Sequence, residues 1–203
     1  MKIDLSLVKY LEDNSQLERF MGEYEELHER DEEGKAYANT IGGCLGIAHD
    51  LNRKKVPYCI IGGLAVAFHL HQVNHAAFLQ WRGTSDIDIL ADKKSAERTL
   101  REFGYDFREA QYGKAGAKSG IYVYAKDDNG ESLSLGLRQK VEDKTGRNIA
   151  PKLLGSATVV DVYSIPIRVP MIRDLVAMKL HANRTKDRED IKRLREYYKG
   201  LKL

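Results

Sequence analysis

Tyr58-Cys59-Ile60-Ile61-Gly62-Gly63-Leu64-Ala65-Val66-Ala67-Phe68-His69 and, beyond a polar insert, Arg82-Gly83-Thr84-Ser85-Asp86-Ile87-Asp88-Ile89-Leu90 decide how this chain is read. The first segment is an apolar run that halts at two glycines and resumes as an alanine-rich stretch. That is the pattern of a short strand turning straight into a helix. The second segment alternates acid with isoleucine. In a strand, successive side chains take opposite faces, so Asp86 and Asp88 share one face and Ile87 and Ile89 bury the other, with the acidic Cα atoms roughly 6–7 Å apart.

Two carboxylates at that spacing suit a hard divalent cation, which prefers oxygen ligands. Gly62-Gly63 supplies what a metal-bound phosphate needs. Backbone N–H groups and the positive end of a helix are exposed there, and the missing side chains let the phosphate approach closely. Each feature alone is common: paired glycines usually make only tight turns, and alternating acids often sit solvated on an edge strand. Together, in this order, they are specific.

At these residues the sequence resembles the nucleotidyltransferase superfamily that includes DNA polymerase β. It is nearest to the small antibiotic nucleotidyltransferases and the abortive-infection nucleotidyltransferase-like toxins. Gly62-Gly63-Leu64-Ala65 through His69, then Arg82, Thr84, Asp86 and Asp88 in Arg-x-Thr-x-Asp-x-Asp spacing, fit the toxins' pattern. The match covers residues 56–92 closely and the C-terminal third loosely. The resemblance implies an α/β (α+β) fold, a mixed β-sheet core with flanking N- and C-terminal helices. It implies binding of a nucleoside triphosphate such as ATP and transfer of its nucleotide to a hydroxyl on a small molecule, RNA or protein, releasing pyrophosphate. Asp86 and Asp88 are then catalytic ligands of Mg2+ or Mn2+, and Gly62, Gly63, Arg82, Thr84 and Lys179 bind nucleotide. Arginine suits phosphate through its planar fork of donors. Lys179 and the later Arg184–Asp190 segment correspond to a lysine and an Arg-x-x-Asp element of the toxin-like branches, with Asp187 capping the last helix and Asp190 structural.

One part of the family pattern is missing. Its third acid sits on a later strand, and the natural place reads Glu131-Ser132-Leu133-Ser134-Leu135-Gly136-Leu137. Ser134 takes the acid's position. Glu131 is out of phase, and Asp161 serves only if the strands are ordered differently. A second reading follows, a non-catalytic nucleotide-binding or interaction module, and a third, a toxin–antitoxin component.

The bulk properties agree with a globular chain. At 203 residues it is long enough for one well-packed domain. A net charge of +3 tolerates anionic substrates but is no strong nucleic-acid signature. Cys44 and Cys59 sit in apolar patterns and read as core residues, which favours a reducing cytoplasm over a disulfide framework. The N-terminus lacks a signal peptide's apolar core, and no run approaches membrane-spanning length, so no membrane partner is expected.

Along the chain, residues 1–55 read as helical, with Leu17, Phe20, Met21, Tyr24 and Leu27 on one stripe and Gly34 as the stop. A second stripe follows at Ile41, Cys44, Leu45, Ala48 and Leu51. A helix is expected over 93–103 before Gly104, then a hairpin through Asp127-Asp128-Asn129-Gly130 and a polar loop over 139–151. Strands follow at 159–163 and 165–169, interrupted by Pro166. Helices run from Pro170 to about Ala182 and from 186 to 198, with Gly200 ending the last. The organisation expected is a helical segment 1–55, a nucleotidyltransferase-like core 56–169, and C-terminal helices 170–203. His69 packs behind the glycine turn, and His71 and His75 lack the companions of a metal site. The insert 72–81, with Trp81, is placed to cover the base or to touch the second substrate.

Overall fold

The computed structural model describes residues 14–110, 121–126 and 132–198. Expectations that rest on residues 127–131, including Glu131 and the hairpin turn, and on Gly200 lie outside them. Helices α1 (Asn14–Arg30) and α2 (Glu32–Arg53) lead into β1 (Tyr58–Ile61), α3 (Gly62–Val73), the one-turn α4 (His75–Leu79), β2 (Asp86–Ala91) and α5 (Lys93–Glu102). Strands β3 (Asp106–Ala110), β4 (Ile121–Lys126) and β5 (Ser132–Arg138) follow, then α6 (Ala150–Gly155), β6 (Thr158–Val162), β7 (Ile165–Val169), α7 (Ile172–Ala182) and α8 (Thr185–Tyr197).

The main sheet has the order β1-β2-β5-β4-β3. The β2–β5 pairing is parallel and the others are antiparallel, so the sheet is mixed, with helices flanking it. β6 and β7 form a separate antiparallel pair. Strand alternation sorts β1 and β2 between two apolar clusters. Tyr58, Ile60, Ile87, Ile89 and Ala91 enter the large core with α2 and α3. Cys59, Ile61 and Leu90 face a smaller cluster with Ala150 and Leu153 of α6. Both cysteines are free and buried.

Several boundaries differ from the sequence reading. Gly34 is not a stop: α1 ends at Arg30, and Asp31 caps α2 by accepting from Gly34 N at 2.6 Å. A capping carboxylate marks a helix start more strongly than an isolated glycine marks an end. β3 went unrecognised because Asp106-Phe107-Arg108-Glu109-Ala110 is charge-rich, as suits an edge strand paired only with β4. α4 and α6 are too short for a periodic signal, although Pro151 in the first turn of α6 is a start signal. Pro166 lies within β7, opposite Asp161, in a two-stranded sheet where a missing donor is tolerated. α7 begins at Ile172, two residues beyond Pro170. The Pro170 carbonyl instead accepts from His69 Nε2 at 2.9 Å, while His69 Nδ1 lies 3.1 Å from the Tyr198 hydroxyl. A carbonyl only accepts, so the His69 proton sits on Nε2, and the ring is held between Pro170 and Tyr198.

Candidate active site

The site grows out of the alternation in β2. Ile87 and Ile89 are fully buried, while Asp86 is exposed and Asp88 half-buried on the opposite face. In the antiparallel register Ile61 lies opposite Asp88, so the chain leaves β1 at Gly62 beside that carboxylate. Gly62 has φ +72°, and a Cβ placed there would lie 2.8 Å from Asp88 Oδ2. Both constraints demand glycine. Gly62 also opens the 12-residue α3, whose N-cap, Ile61, offers no side-chain acceptor to the first turn.

On the other side of β2, the parallel β5 sets Ser134 opposite Asp86 and Gly136 opposite Asp88. Ser134 Oγ donates to Asp86 Oδ1 at 2.9 Å. A Cβ at Gly136 would meet Asp88 Oδ1 at 2.8 Å. Arg138, next on that face, donates to the same oxygen from Nε and pairs with it through a terminal nitrogen, both at 2.9 Å. Ser134, expected in the sequence at the third acid's position, thus lies beside Asp86. Asp161 does not take that role. It lies in the β6–β7 sheet and accepts from Ser164 N at 3.0 Å, closing the turn there.

A cleft of about 890 Å³ opens beside these groups, lined by Gly62, Asp88, Arg138, Lys140, Lys179 and Arg184 among others. Lys179 is 5 % exposed and is held by Asp187 at 3.1 Å and Asp190 at 2.7 Å. Burial alone would raise the Asp187 carboxyl. Bonds from Arg184 and Lys179 outweigh it and hold the group at about 2.

Arg82 turns away from the aspartates. Its Nε and a terminal nitrogen donate to Asp190 at 3.1 and 2.9 Å, and its guanidinium lies 4.5 Å from the Trp81 ring centroid. Trp81 Nε1 donates to Asp190 at 3.1 Å. Its ring is 5 % exposed, between the Arg82 guanidinium and the Tyr37 ring. It is a core residue and does not reach a nucleotide base, contrary to the expectation for the insert. Gly63 is a close-packing glycine: a Cβ there would meet the Trp81 ring at 3.0 Å and Thr84 at 3.2 Å. Thr84 Oγ1 accepts from Asp86 N at 3.4 Å.

Of the residues singled out in the sequence, Gly62, Asp88 and Lys179 line one cleft, with Asp86 two strand residues along on the same face. Gly63, Arg82 and Thr84 support the loop behind it. Arg138, Lys140 and Arg184 went unnoticed as cleft residues. For Arg138 a signal existed: Ser134, Gly136 and Arg138 alternate on one strand, so whatever face Ser134 takes, Arg138 shares it.

Residues 43–203 match the family described as nucleotidyl transferase of unknown function (DUF2204). The chain belongs to that family. This nucleotidyl transferase is similar in fold to the Megavirus polyadenylate synthase, at 14 % identity and a TM-score of 0.50, covering 98 % of this chain and 38 % of that one. It is also similar to a lincosamide antibiotic adenylyltransferase solved with lincomycin bound, at 16 % identity, a TM-score of 0.45, and coverage of 72 % and 90 %. An antigenic nucleotidyltransferase-like protein from Paracoccidioides brasiliensis aligns at 16 % identity and a TM-score of 0.47, with coverage of 75 % and 72 %. No curated protein matches its sequence. No helix among the described residues is long and apolar enough to cross a membrane.

Nucleotidyl transfer implies a divalent ion, and the donor set can be tested for it. Among the described residues no group of three or more His, Cys, Asp or Glu converges. Mg2+ is nevertheless commonly held by one or two carboxylates together with substrate phosphates and water. Asp86 and Asp88 on one open face meet that requirement.

Proposed function

We propose that this nucleotidyl transferase binds a nucleoside triphosphate with Mg2+ in the cleft beside Gly62 and transfers its nucleotide to a hydroxyl acceptor. The observation that carries the reading is the Gly62–Asp88 contact. A strand end, a helix start and a carboxylate that shares its face with Asp86 meet there, beside a cleft rimmed by Arg138, Lys140 and Arg184. In this reading the described residues of the segment 56–169 form the catalytic core, the described residues of the segment 1–55 buttress it from the buried side, and the described residues of the segment 170–203 supply one wall of the cleft.

In this reading Asp86 and Asp88 would hold the metal ion, which would supply charge neutralisation and alignment of the triphosphate. Gly62 and the first turn of α3 present backbone N–H groups to phosphate oxygens. The cations along the rim stabilise the charge of the departing pyrophosphate. The proton of the attacking hydroxyl passes to solvent water, which reaches the exposed strand end at Asp86. Lys179 and Arg82 act through Asp190, fixing α8 and the loop before β2.

The test is titration calorimetry with ATP and Mg2+ on the wild type and on Asp86→Asn with Asp88→Asn. Magnesium-dependent binding should vanish in the double variant; unchanged affinity would refute the assignment. Labelled pyrophosphate release by the wild type then separates a working transferase from the non-catalytic reading, to which Ser134 in the third acid's seat lends support.

A further inference from the structure

A second cavity adjoins the cleft. It measures about 590 Å³ and shares two lining residues with it, Glu142 and Met178. Resting on the nucleotidyl-transfer reading above, we propose that this cavity, between α7 and the loop 142–149, holds the acceptor. The acceptor is an uncharged small molecule with an apolar body, and its hydroxyl points to the nucleotide where the two cavities meet.

The first wall is a helix face that breaks the usual pattern. Leu175, Val176 and Lys179 bury one side of α7. Ala177, Leu180 and His181 stand three and four residues apart and so share the opposite side, which in a surface helix is normally polar. Here Ala177 is exposed and Leu180 is 52 % exposed, and both line the cavity. Ile149 and Met178 continue the apolar lining and pack against the smaller apolar cluster. The second wall is a loop tied to itself. Glu142 bridges Asn148, and Ile149 N donates to Val141 O at 2.8 Å. Asp143 Oδ1 accepts from Thr145 N, Thr145 Oγ1 and Arg147 N at 2.8, 2.6 and 3.1 Å. A wall pinned in this way stands before any ligand arrives, as in small-molecule pockets, whose usual volume of about 300–1,000 Å³ includes this one.

Charge selects the class of acceptor. The cleft is lined by Arg138, Lys140, Lys179 and Arg184, as an anionic nucleotide requires. Among the described residues that line the second cavity, Lys144 is the one lysine or arginine. A nucleic-acid strand is held by several such cations. A polycation finds no better match, because the two acids of the cavity are already engaged: Glu142 pairs with Lys140 at 2.5 Å, and Asp143 closes its own loop. What remains is an apolar surface beside a charged one. In the transfer step the acceptor oxygen forms a bond to the α-phosphorus, and the bond from that phosphorus to the oxygen bridging to the β-phosphate breaks. The electron pair departs with pyrophosphate and the hydroxyl proton goes to water.

The test follows a probe of that class, naphthylethanol, on the full chain. Its fluorescence should titrate to saturation with the wild type. Ala177→Trp fills the cavity and Leu180→Glu charges its wall; each should weaken the alcohol at least about tenfold. Both positions are exposed, so neither change disturbs the core. Affinity for a non-hydrolysable ATP analogue with Mn2+, read by calorimetry, should stay within about twofold in both variants, since neither residue lines the cleft. In the wild type loaded with that analogue, Mn2+ should speed the proton relaxation of the alcohol's hydroxyl end more than that of its far ring. No saturable binding, unchanged affinity for the alcohol in either variant, or relaxation not faster at the hydroxyl end overturns the proposal. Displacement of the alcohol by unfractionated tRNA gives the cavity to a nucleic-acid end and overturns it too. A wild type that binds no analogue with Mn2+ overturns the nucleotidyl-transfer reading itself.

Discussion

Gly62 and Asp88 occupy each other's space: a single methyl group on the glycine would lie 2.8 Å from the carboxylate oxygen Oδ2. The contact joins the end of one strand to the middle of the next and brings the start of α3 to the acidic face. Gly62→Ala meets two penalties, a positive φ of 72° and this clash. Backbone strain alone should cost about 1–2 kcal/mol in a urea unfolding curve. Displacement of the carboxylate should weaken Mg2+-dependent ATP binding by tenfold or more in calorimetry. A variant that loses stability while keeping full affinity would show that the corner is a turn and nothing more.

Replacing the two proposed metal ligands separately should give unequal results. Asp88 bonds Arg138, so Asp88→Asn removes one ion pair from a half-exposed guanidinium. Asp86 is exposed and bonds only a hydroxyl. Asp86→Asn should therefore leave thermal stability within about 0.5 kcal/mol of wild type. Asp88→Asn should cost up to about 1 kcal/mol, in the range of a partly exposed ion pair. ATP with Mg2+ should stabilise the wild type in a melting experiment, and both variants should lose that stabilisation. Retention of that stabilisation in either variant would remove that residue from the metal site.

The strand–glycine–helix corner and the acidic strand were legible because both rest on local rules, a period of two and the conformational freedom of glycine. Ile87 and Ile89 are buried as that period requires. The seat of Ser134 was legible for the same reason, and it lies beside Asp86. What stayed hidden depends on residues far apart in sequence. Arg82 has the chemistry of a phosphate ligand, and nothing local says that Asp190, 108 positions on, takes its guanidinium. Trp81 in a polar insert reads as a contact to the base or the second substrate until its indole N–H is seen to share that same carboxylate. Arg138 follows a strand whose alternation is plain, but its partner Asp88 lies 50 positions back on β2.

Asp190 is the buried junction of three elements. It accepts from Lys179 on α7 and from Trp81 and Arg82 on the loop before β2, while lying on α8 itself. Asp190→Ala leaves Lys179 buried with Asp187 as its remaining ion partner and strips the indole of its acceptor. Breaking one side of a buried pair typically costs about 3–5 kcal/mol, and a chemical unfolding curve should show a loss of that size. Lys179→Met, which removes the buried charge and keeps the apolar stem, should cost less than Asp190→Ala. The reverse order would mean that Lys179, and not the carboxylate, is the member on which the junction depends.

His71 makes the protein's stability depend on pH. Burial first, then the positive charges of His75 and Arg19, outweigh the pull of Glu23 and Asp161 and push the imidazole down to about 4 from 6.5. The ring packs among His75, Phe78 and Tyr163. Glu23 on α1 accepts from the Tyr163 hydroxyl and pairs with His75 at 2.6 Å, so the cluster also docks that helix. Because the folded value lies below the unfolded one, both states are neutral above 6.5 and the stability is fully present there. Between 6.5 and 4 the unfolded chain takes up the proton first, so stability falls as pH falls and levels off below 4. Asp187, held at about 2, contributes stability that is fully present above its ordinary value of 3.8 and is lost only below it, outside this window. Urea midpoints measured at about pH 7.5 and about pH 4.5 should therefore drop for the wild type and drop markedly less for His71→Leu, which cannot take up the proton. An equal drop in both proteins would assign the acid sensitivity to other groups.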